Sequence, residues 1–286
     1  MNPSANQKDF LRESNKQIVK KRRSRRSKIT IFFGILFVLL LVGTVFFLRL
    51  QKFLITTVTV SGEVVVEESA VQKIVGDRLS GKYLWIIPRS NSLLLSTNNL
   101  EKRLKRMIPR ISSVEIDHVG LKGLSVNIKE YSSEYIWCGS DVVPLGVNSD
   151  SQCLFMDKSG YLFGYAPYIS GSVYTVLYGR EIKTPGHFGF EKENFDKITL
   201  LLLNMKTLGL DVTNVVEEED NDFSFYVKDN KNATTEIKVS LNDDASTISN
   251  HLSSVLASEV FKDRNNVFNM LYIDLRFGNK VFYKAK

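Results

Sequence analysis

Residues Ile29–Leu48 read ITIFFGILFVLLLVGTVFFL and contain no charged side chain. At a rise of about 1.5 Å per residue, a helix of this stretch is about 30 Å long, the hydrocarbon thickness of a bilayer. A helix that is apolar on all sides can also be buried in a protein core, but a chain of 286 residues offers little core for one. We therefore predict a transmembrane helix over residues 29–49, which contacts membrane lipid.

The two flanks of this stretch differ in charge. Seven Lys and Arg residues lie within positions 20–28, whereas only Arg49 and Lys52 follow the stretch closely. Because basic residues stay on the cytoplasmic side, residues 1–28 are predicted to be a cytoplasmic basic tail and residues 50–286 to be extracytoplasmic. A cleaved signal peptide also begins with basic and apolar segments, but this run is too long and lacks a small-x-small cleavage site. The pattern predicts a retained, single-pass type II anchor.

The net charge of +7 is concentrated in the N-terminal tail. Residues 1–28 carry ten Lys and Arg against two acidic residues, a net charge of +8, which leaves the rest of the chain at −1. A topology signal held near anionic lipid headgroups explains this cluster better than nucleic-acid binding does. We expect no nucleic acid among the partners.

The next 80 residues alternate between strand and helix patterns. Residues 83–88 read as a short extended segment leading into a loop. The remaining segments give the order β-α-α-β-β and are, in turn, residues 53–60, 67–79, 98–108, 111–118 and 122–131. This order predicts a small α+β domain over residues 50–131.

This order and its apolar motif positions resemble a POTRA domain, in the variant found in the FtsQ/DivIB family of bacterial cell-division proteins. Most of the matching apolar residues would also be expected in the core of a small α+β domain. Only the full set of matches is therefore specific to this family. The matching residues are Val58, Val60, Gly62, Gly81, Trp85, Ile86, Ile108, Pro109, Ile111, Val114, Ile116, Leu124, Val126, Ile128, Lys129 and Glu130.

Residues 132–286 shift to short strands and turns, with two helical patterns at 190–208 and 248–260. The resemblance continues here through D-x-x-G-x-x-F at residues 157–163 and through Ile-Asp-Leu-Arg at residues 273–276. The predicted fold class is therefore α+β. It comprises a single N-terminal transmembrane helix, an extracytoplasmic POTRA domain, and a mixed β-rich domain of the FtsQ type with two helices.

Two cysteines, Cys138 and Cys153, lie on the predicted extracytoplasmic side. Thiols this close in sequence can persist as a disulfide outside the cytoplasm. Two buried free thiols are the alternative. Without a nearby histidine they do not form a zinc site, which takes four ligands.

The chain lacks the residue patterns of a catalytic site. Its three histidines fall in three different predicted elements, and no nucleophile elbow, zinc-protease motif or P-loop occurs. The acidic run at residues 217–220 reads as a solvated strand end or turn rather than a cation site. We expect a non-enzymatic protein without a cofactor.

The last strand of the chain is the candidate binding site. The resemblance implies that the outer β domain binds small coiled-coil division proteins of the FtsB and FtsL type. A terminal strand can form a sheet edge that accepts an added strand. Alternatively, these residues only complete the sheet core. The candidate partner-binding residues are Arg276, Phe277, Val281, Phe282 and Tyr283.

The function that the resemblance implies is that of a membrane-anchored scaffold linking early and late division proteins at the septum. The alternative is a POTRA-type chaperone that assembles exported polypeptides. Such chains usually continue into a β-barrel of many alternating strands. Only residues 132–286 remain here, and they contain two helical patterns.

Overall fold

A computed structural model describes residues 30–62, 65–140, 153–167, 173–229, 231, 233–261, 263, 265–278 and 280–286. The predicted cytoplasmic tail, residues 1–28, lies outside the described residues. The described residues form two compact units, of which the first contains the apolar helix and the second contains the large sheet.

The apolar stretch forms helix α1, Thr30–Leu48, with a mean hydropathy of 3.0. Its 19 residues are long and apolar enough to cross a membrane, so the helix is consistent with a single-pass membrane anchor. A short 3-10 turn, Gln51–Phe53, follows it. The strand predicted to start at residue 53 starts instead at Thr57, because this turn and a bridge from Leu54 to Asn91 occupy the intervening backbone.

The region predicted as a POTRA domain has the expected order of main elements. Its three longer strands form one sheet in the order β1-β5-β4. Val71 and Val75 of α2, and Leu100 and Leu104 of α3, are fully buried, as their helical spacing predicts. The elements are β1 (Thr57–Ser61), α2 (Glu68–Leu79), β2 (Lys82–Tyr83), β3 (Ile87–Pro88), α3 (Thr97–Met107), β4 (Ile111–Val119) and β5 (Gly123–Glu130).

The segment predicted as extended over residues 83–88 is instead a small hairpin. β2 and β3 pair antiparallel, with Tyr83 opposite Ile87. Leu84 and Trp85 turn the chain between them with φ angles of +46° and +65°. A left-handed pair of this kind ordinarily takes Asn-Gly, and Leu-Trp carries no such turn signal.

The second unit contains a ten-stranded mixed sheet in the order β10-β8-β7-β6-β9-β11-β12-β13-β14-β15. The fold class is α+β, as predicted from the sequence. The strands are β6 (Tyr135–Trp137), β7 (Leu154–Met156), β8 (Tyr161–Tyr165), β9 (Thr175–Tyr178), β10 (His187–Phe188), β11 (Asp211–Glu217), β12 (Asp222–Lys228), β13 (Thr234–Ser240), β14 (Met270–Phe277) and β15 (Lys280–Ala285).

Helices pack on this sheet and form the main core with it. The two predicted helices are α4 (Lys192–Thr207) and α5 (Ala245–Leu256), and a third, single-turn helix is α6 (Asn265–Phe268). Ile198 of α4 and Leu252 of α5 are buried in one cluster with side chains of the central strands. Burial of these apolar faces favours folding by roughly 25 cal/mol for each Å² removed from water.

Candidate partner-binding edge

Strand β15 forms one end of the ten-stranded sheet. It pairs antiparallel with β14, placing Tyr283 opposite Ile273 and Phe282 opposite Asp274. Within the described residues, the strand order ends here, so the far side of β15 meets no further strand. The opposite end of the sheet is β10, which has only two residues. β15 has six residues, which makes it the longer edge available for strand pairing.

Aromatic side chains line both faces of this edge. Phe277, Phe282 and Tyr283 are each about half exposed. The rings of Phe277 and Phe282 meet edge to face, with centroids 5.3 Å apart. On the other face, Tyr283 contacts the buried ring of Phe261 at 5.5 Å, and Val281 packs against the main core. The edge therefore keeps a firm contact with the core while it exposes about half of each aromatic ring.

Arg276 is held inside the fold by two carboxylates. Its Nη2 and Nε atoms donate to Asp274 at 2.7 and 2.9 Å. Its Nη1 atom donates to Asp222 on β12 at 2.8 Å. These charged hydrogen bonds keep the guanidinium protonated, and they raise its pKa above the ordinary value. Burial raises the pKa of Asp274, but the bonds from Arg276 outweigh it and hold that pKa below its ordinary value.

The five predicted binding residues are therefore brought together, but they differ in what they offer a partner. Phe277 and Phe282 border a shallow groove on the outer face of the edge, and Arg276 and Asp274 line the same groove. The guanidinium carbon of Arg276 lies 5.5 Å from the centre of the Phe277 ring. Arg276 is thus tied to its own sheet, and it also steadies an exposed ring at the edge.

Cys138 and Cys153 form a disulfide. Cys138 directly follows β6 and Cys153 directly precedes β7, and these strands pair antiparallel with Trp137 opposite Leu154. Both cysteines pack against a small cluster that includes Val176. The bridge therefore closes the chain at the point where the two strands diverge. Most of the segment between the cysteines, residues 141–152, lies outside the described residues.

The polar residues considered for catalysis or cation binding are dispersed. His118 lies near the end of β4, His187 lies in β10 and His251 lies in α5, so they occupy three separate elements. In the part of the chain that the structure describes, no group of three or more His, Cys, Asp or Glu side chains is arranged to hold a metal ion. The acidic run at residues 217–220 is exposed at the turn between β11 and β12.

Sequence reasoning missed two features of the first 130 residues. Trp85 is a motif position for which burial in the core is the simplest expectation. It is instead 92% exposed at the tip of the β2–β3 hairpin. Glu130, another motif position, accepts hydrogen bonds from the backbone N–H groups of Val65 and Val66 at 2.8 and 2.9 Å. Its second oxygen accepts one from Arg110 Nε at 2.7 Å. The apolar run around Trp85 was the one signal in the sequence for an exposed apolar tip. Nothing in the sequence pattern indicated the hydrogen bonds of Glu130.

Residues 53–131 match the family model of the FtsQ-type POTRA domain. A search of curated proteins finds no match for the chain. The domain match agrees with the resemblance seen in the sequence and supports an FtsQ/DivIB-family protein, in which a large β sheet follows the POTRA domain. The FtsQ-type POTRA family is a family of non-enzymatic scaffolds, and the domain suggests a division-related role.

Proposed function

We propose that this protein is a single-pass scaffold of the bacterial division machinery, acting at the septum through contacts with other division proteins. The FtsQ-type POTRA domain at residues 53–131 supports the division role. Helix α1 supports the membrane anchor, and the basic residues before it support a cytoplasmic N-terminus. The residues after α1 would then be extracytoplasmic, where the disulfide is chemically stable.

The observation that carries the partner-binding part of this proposal is the open edge at β15. A segment of an FtsB-like protein, in a complex that also contains an FtsL-like protein, would add a strand there. Main-chain hydrogen bonds would provide attachment that is insensitive to most side-chain changes. Phe282 and Tyr283 would provide specificity, because aromatic side chains dominate the energetics of most interfaces.

A binding titration with the FtsB-like partner tests this edge. Phe282→Ala and Tyr283→Ala should each weaken binding by about 1–3 kcal/mol. Val281→Pro should weaken it further, because proline removes a backbone donor and disturbs the strand. Circular dichroism of each variant establishes that the fold is retained.

Phe188→Ala is the matched control. Phe188 is 53% exposed, against 51% for Phe282, and it lies in β10 at the opposite end of the same sheet. It should bind the partner as the parent does. Folded β15 variants that also bind as the parent does would show that the partner docks elsewhere, and β15 would then only complete the sheet.

The orientation can be measured by thiol labelling in intact cells. Ser61→Cys, in a variant that lacks both native cysteines, should react with a membrane-impermeant reagent, because Ser61 is exposed and follows α1. A cysteine at Lys28 is the matched control and should react only after lysis. Reversal of the two results would contradict the predicted topology.

The cellular role can be separated from polypeptide assembly by depletion. Loss of a division scaffold should produce filamentous cells with normal envelope-protein levels. Loss of a chaperone for exported polypeptides should instead deplete envelope proteins while cells continue to divide. The second result would overturn the proposed function.

A further inference from the structure

The loop that follows the β2–β3 hairpin is fixed to the end of helix α1. The Asn91 side chain is fully buried, and its Nδ2 atom donates to the carbonyl oxygen of Leu48, the last residue of α1, at 2.7 Å. The backbone N–H groups of Ile55 and Ser92 donate to the carbonyls of Ser90 and Phe53, each at 2.8 Å. Because helix ends leave carbonyls without partners, Asn91 caps α1 and holds this loop where the helix ends.

Large apolar side chains are exposed on both sides of this attachment. Leu84 and Trp85 are 84% and 92% exposed at the hairpin tip. Leu93 and Leu94 are also exposed, and the Leu93 N–H donates to Asn91 Oδ1 at 2.9 Å. The residue that caps α1 therefore also positions an exposed leucine pair near the end of that helix.

The hairpin tip holds its two apolar residues in an unfavourable backbone conformation. The Ile86 N–H donates to the Tyr83 carbonyl at 3.0 Å and closes the turn. Leu84 and Trp85 occupy the two central positions with positive φ angles, where Asn and Gly are ordinarily found. A leucine and a tryptophan gain nothing there from core packing, since both point into solvent. Non-glycine residues held in this strained region cluster at active sites, ligand clamps and switch regions.

A second turn brings another exposed apolar residue to the start of β1. The backbone N–H groups of Thr56 and Thr57 both donate to the Lys122 carbonyl, at 2.9 and 3.2 Å. Leu121, next to Lys122, is exposed in the turn between β4 and β5. Thr56 and Thr57 follow α1 by less than ten residues, so Leu121 is tied to the segment that leads from the helix into β1.

The segments that carry the end of α1, the hairpin and the leucine pair hold charges of one sign. Residues 49–60 and 78–100 contain five basic side chains and no acidic one. Arg78 Nη2 donates to the Tyr83 hydroxyl at 3.0 Å, and the guanidinium of Arg89 lies 5.5 Å from the Tyr83 ring centre. Cations held beside Tyr83, which precedes the exposed Leu84 and Trp85, match the interface of an anionic bilayer, in which Trp residues concentrate.

We propose that the β2–β3 hairpin inserts Leu84 and Trp85 into the outer-leaflet interface of the membrane that α1 spans, with Leu93, Leu94 and Leu121 resting on the same surface. The occupant of this apolar surface is anionic phospholipid, drawn by the neighbouring Lys and Arg side chains. This inference rests on the proposed membrane anchor. The consequence is that the part of the first unit that follows α1 is held at a fixed height and rotation on the bilayer instead of pivoting about the end of α1.

Tryptophan quenching by lipid in the reconstituted full chain tests the proposal. The chain has only two tryptophans, and Trp137 is fully buried. The fluorescence of Trp85 is therefore obtained by subtracting the tryptophan emission of Trp85→Phe from that of the parent. The probe is a vesicle of phosphatidylcholine and phosphatidylglycerol whose phosphatidylcholine carries bromine on its acyl chains. Bromolipid should abolish most of the Trp85 emission, and acrylamide added to the water should not reach it.

The matched control moves the reporter from the β2–β3 hairpin to strand β1 of the three-stranded sheet. Trp85→Phe combined with Ser61→Trp places an exposed tryptophan at the far end of β1, about 13 Å along the strand from Thr57 at 3.3 Å per residue. This reporter should be quenched by acrylamide and not by bromolipid. Circular dichroism should show the same fold in all variants.

Each other outcome would overturn the inference. Trp85 that is quenched by acrylamide and not by bromolipid would lie in water, and Trp85 that neither agent reaches would contact protein. Equal bromolipid quenching with and without phosphatidylglycerol would remove the role of anionic lipid. Vesicle flotation distinguishes failure of the hairpin contact from failure of the membrane anchor. A chain that does not float with the vesicles lacks the anchor. A chain that floats but whose Trp85 is not quenched by bromolipid lacks only the hairpin contact.

Discussion

Replacing Arg276 by Met removes its charged hydrogen bonds to two carboxylates while it keeps an unbranched apolar stem. Arg276 makes three such bonds, two to Asp274 and one to Asp222. In the variant, Asp274 stays buried, being only 6% exposed, and it keeps one bond, from the backbone N–H of residue 276 at 3.1 Å. The cost comes mainly from this buried carboxylate, which loses its counter-charge.

The expected loss of unfolding free energy is about 2–3 kcal/mol. Removing one partner of a fully buried ion pair costs about 3–5 kcal/mol. This network is only partly buried, since the side chains of Arg276 and Asp222 are 29% and 19% exposed, and exposure to water and salt lowers the cost. The value lies well above the ±0.5 kcal/mol or so that is usual for a surface substitution.

Urea denaturation of the purified chain at several pH values measures this loss. Because Arg276 holds the pKa of Asp274 below its ordinary value, the stabilisation is present in full above the unfolded pKa of about 4 and is lost as the pH falls through the folded pKa. The difference between the parent and Arg276→Met should therefore be full at neutral pH and shrink in acid. Lys280→Met, an exposed change on the adjacent strand β15, should alter stability little at either pH.

A double-mutant cycle with Asp274→Asn decides whether the pair is the cause. The double variant should lose less than the sum of the two single variants, because each single change leaves an unpaired group. Additive losses, or an Arg276→Met variant within about 0.5 kcal/mol of the parent at neutral pH, would refute the reasoning.

Two further changes test contacts elsewhere in the described chain. Cys138→Ser with Cys153→Ser should lower the unfolding free energy by about 3 kcal/mol, the chain-entropy value for a loop of about 15 residues, and the unreduced parent should contain no free thiol; a count of two would contradict the bridge. Glu130→Ala should lower the unfolding free energy by about 2–3 kcal/mol in urea denaturation. It leaves Arg110 Nε without its carboxylate and removes the acceptor of two backbone N–H groups. Glu130→Gln keeps an acceptor oxygen and should lower it less.

Apolar periodicity predicted the regular elements of this fold because burial and periodicity have the same physical origin. Leu100 and Leu104, spaced four apart, lie on the buried stripe of α3. The alternation through residues 124–128 likewise buries Leu124, Val126 and Ile128 on one face of β5. At such positions the local spacing of apolar residues is enough to predict which side chains are buried.

The turn at Leu84 and Trp85 was not predictable in this way, because its residues contradict the usual turn chemistry. Left-handed positions in tight hairpins favour glycine and asparagine, so two bulky residues indicated extended backbone instead. The hydrogen bonds of the neighbouring loop to Leu48 and Phe53 are made across more than thirty residues of sequence. No local pattern encodes contacts of that kind.

The resemblance implies that Ile-Asp-Leu-Arg at residues 273–276 belongs to a partner-binding end, and the geometry of these residues suggests how they would serve it. Asp274 and Arg276 lie on one face of β14, and Arg276 reaches over β13 to Asp222 on β12. The same guanidinium lies against Phe277, whose ring meets Phe282 on the edge strand. The ion network thus fixes the spacing of three strands and orients the exposed aromatic pair. A binding defect in Arg276→Met should therefore appear together with a loss of stability, whereas a defect in Phe282→Ala should appear without one.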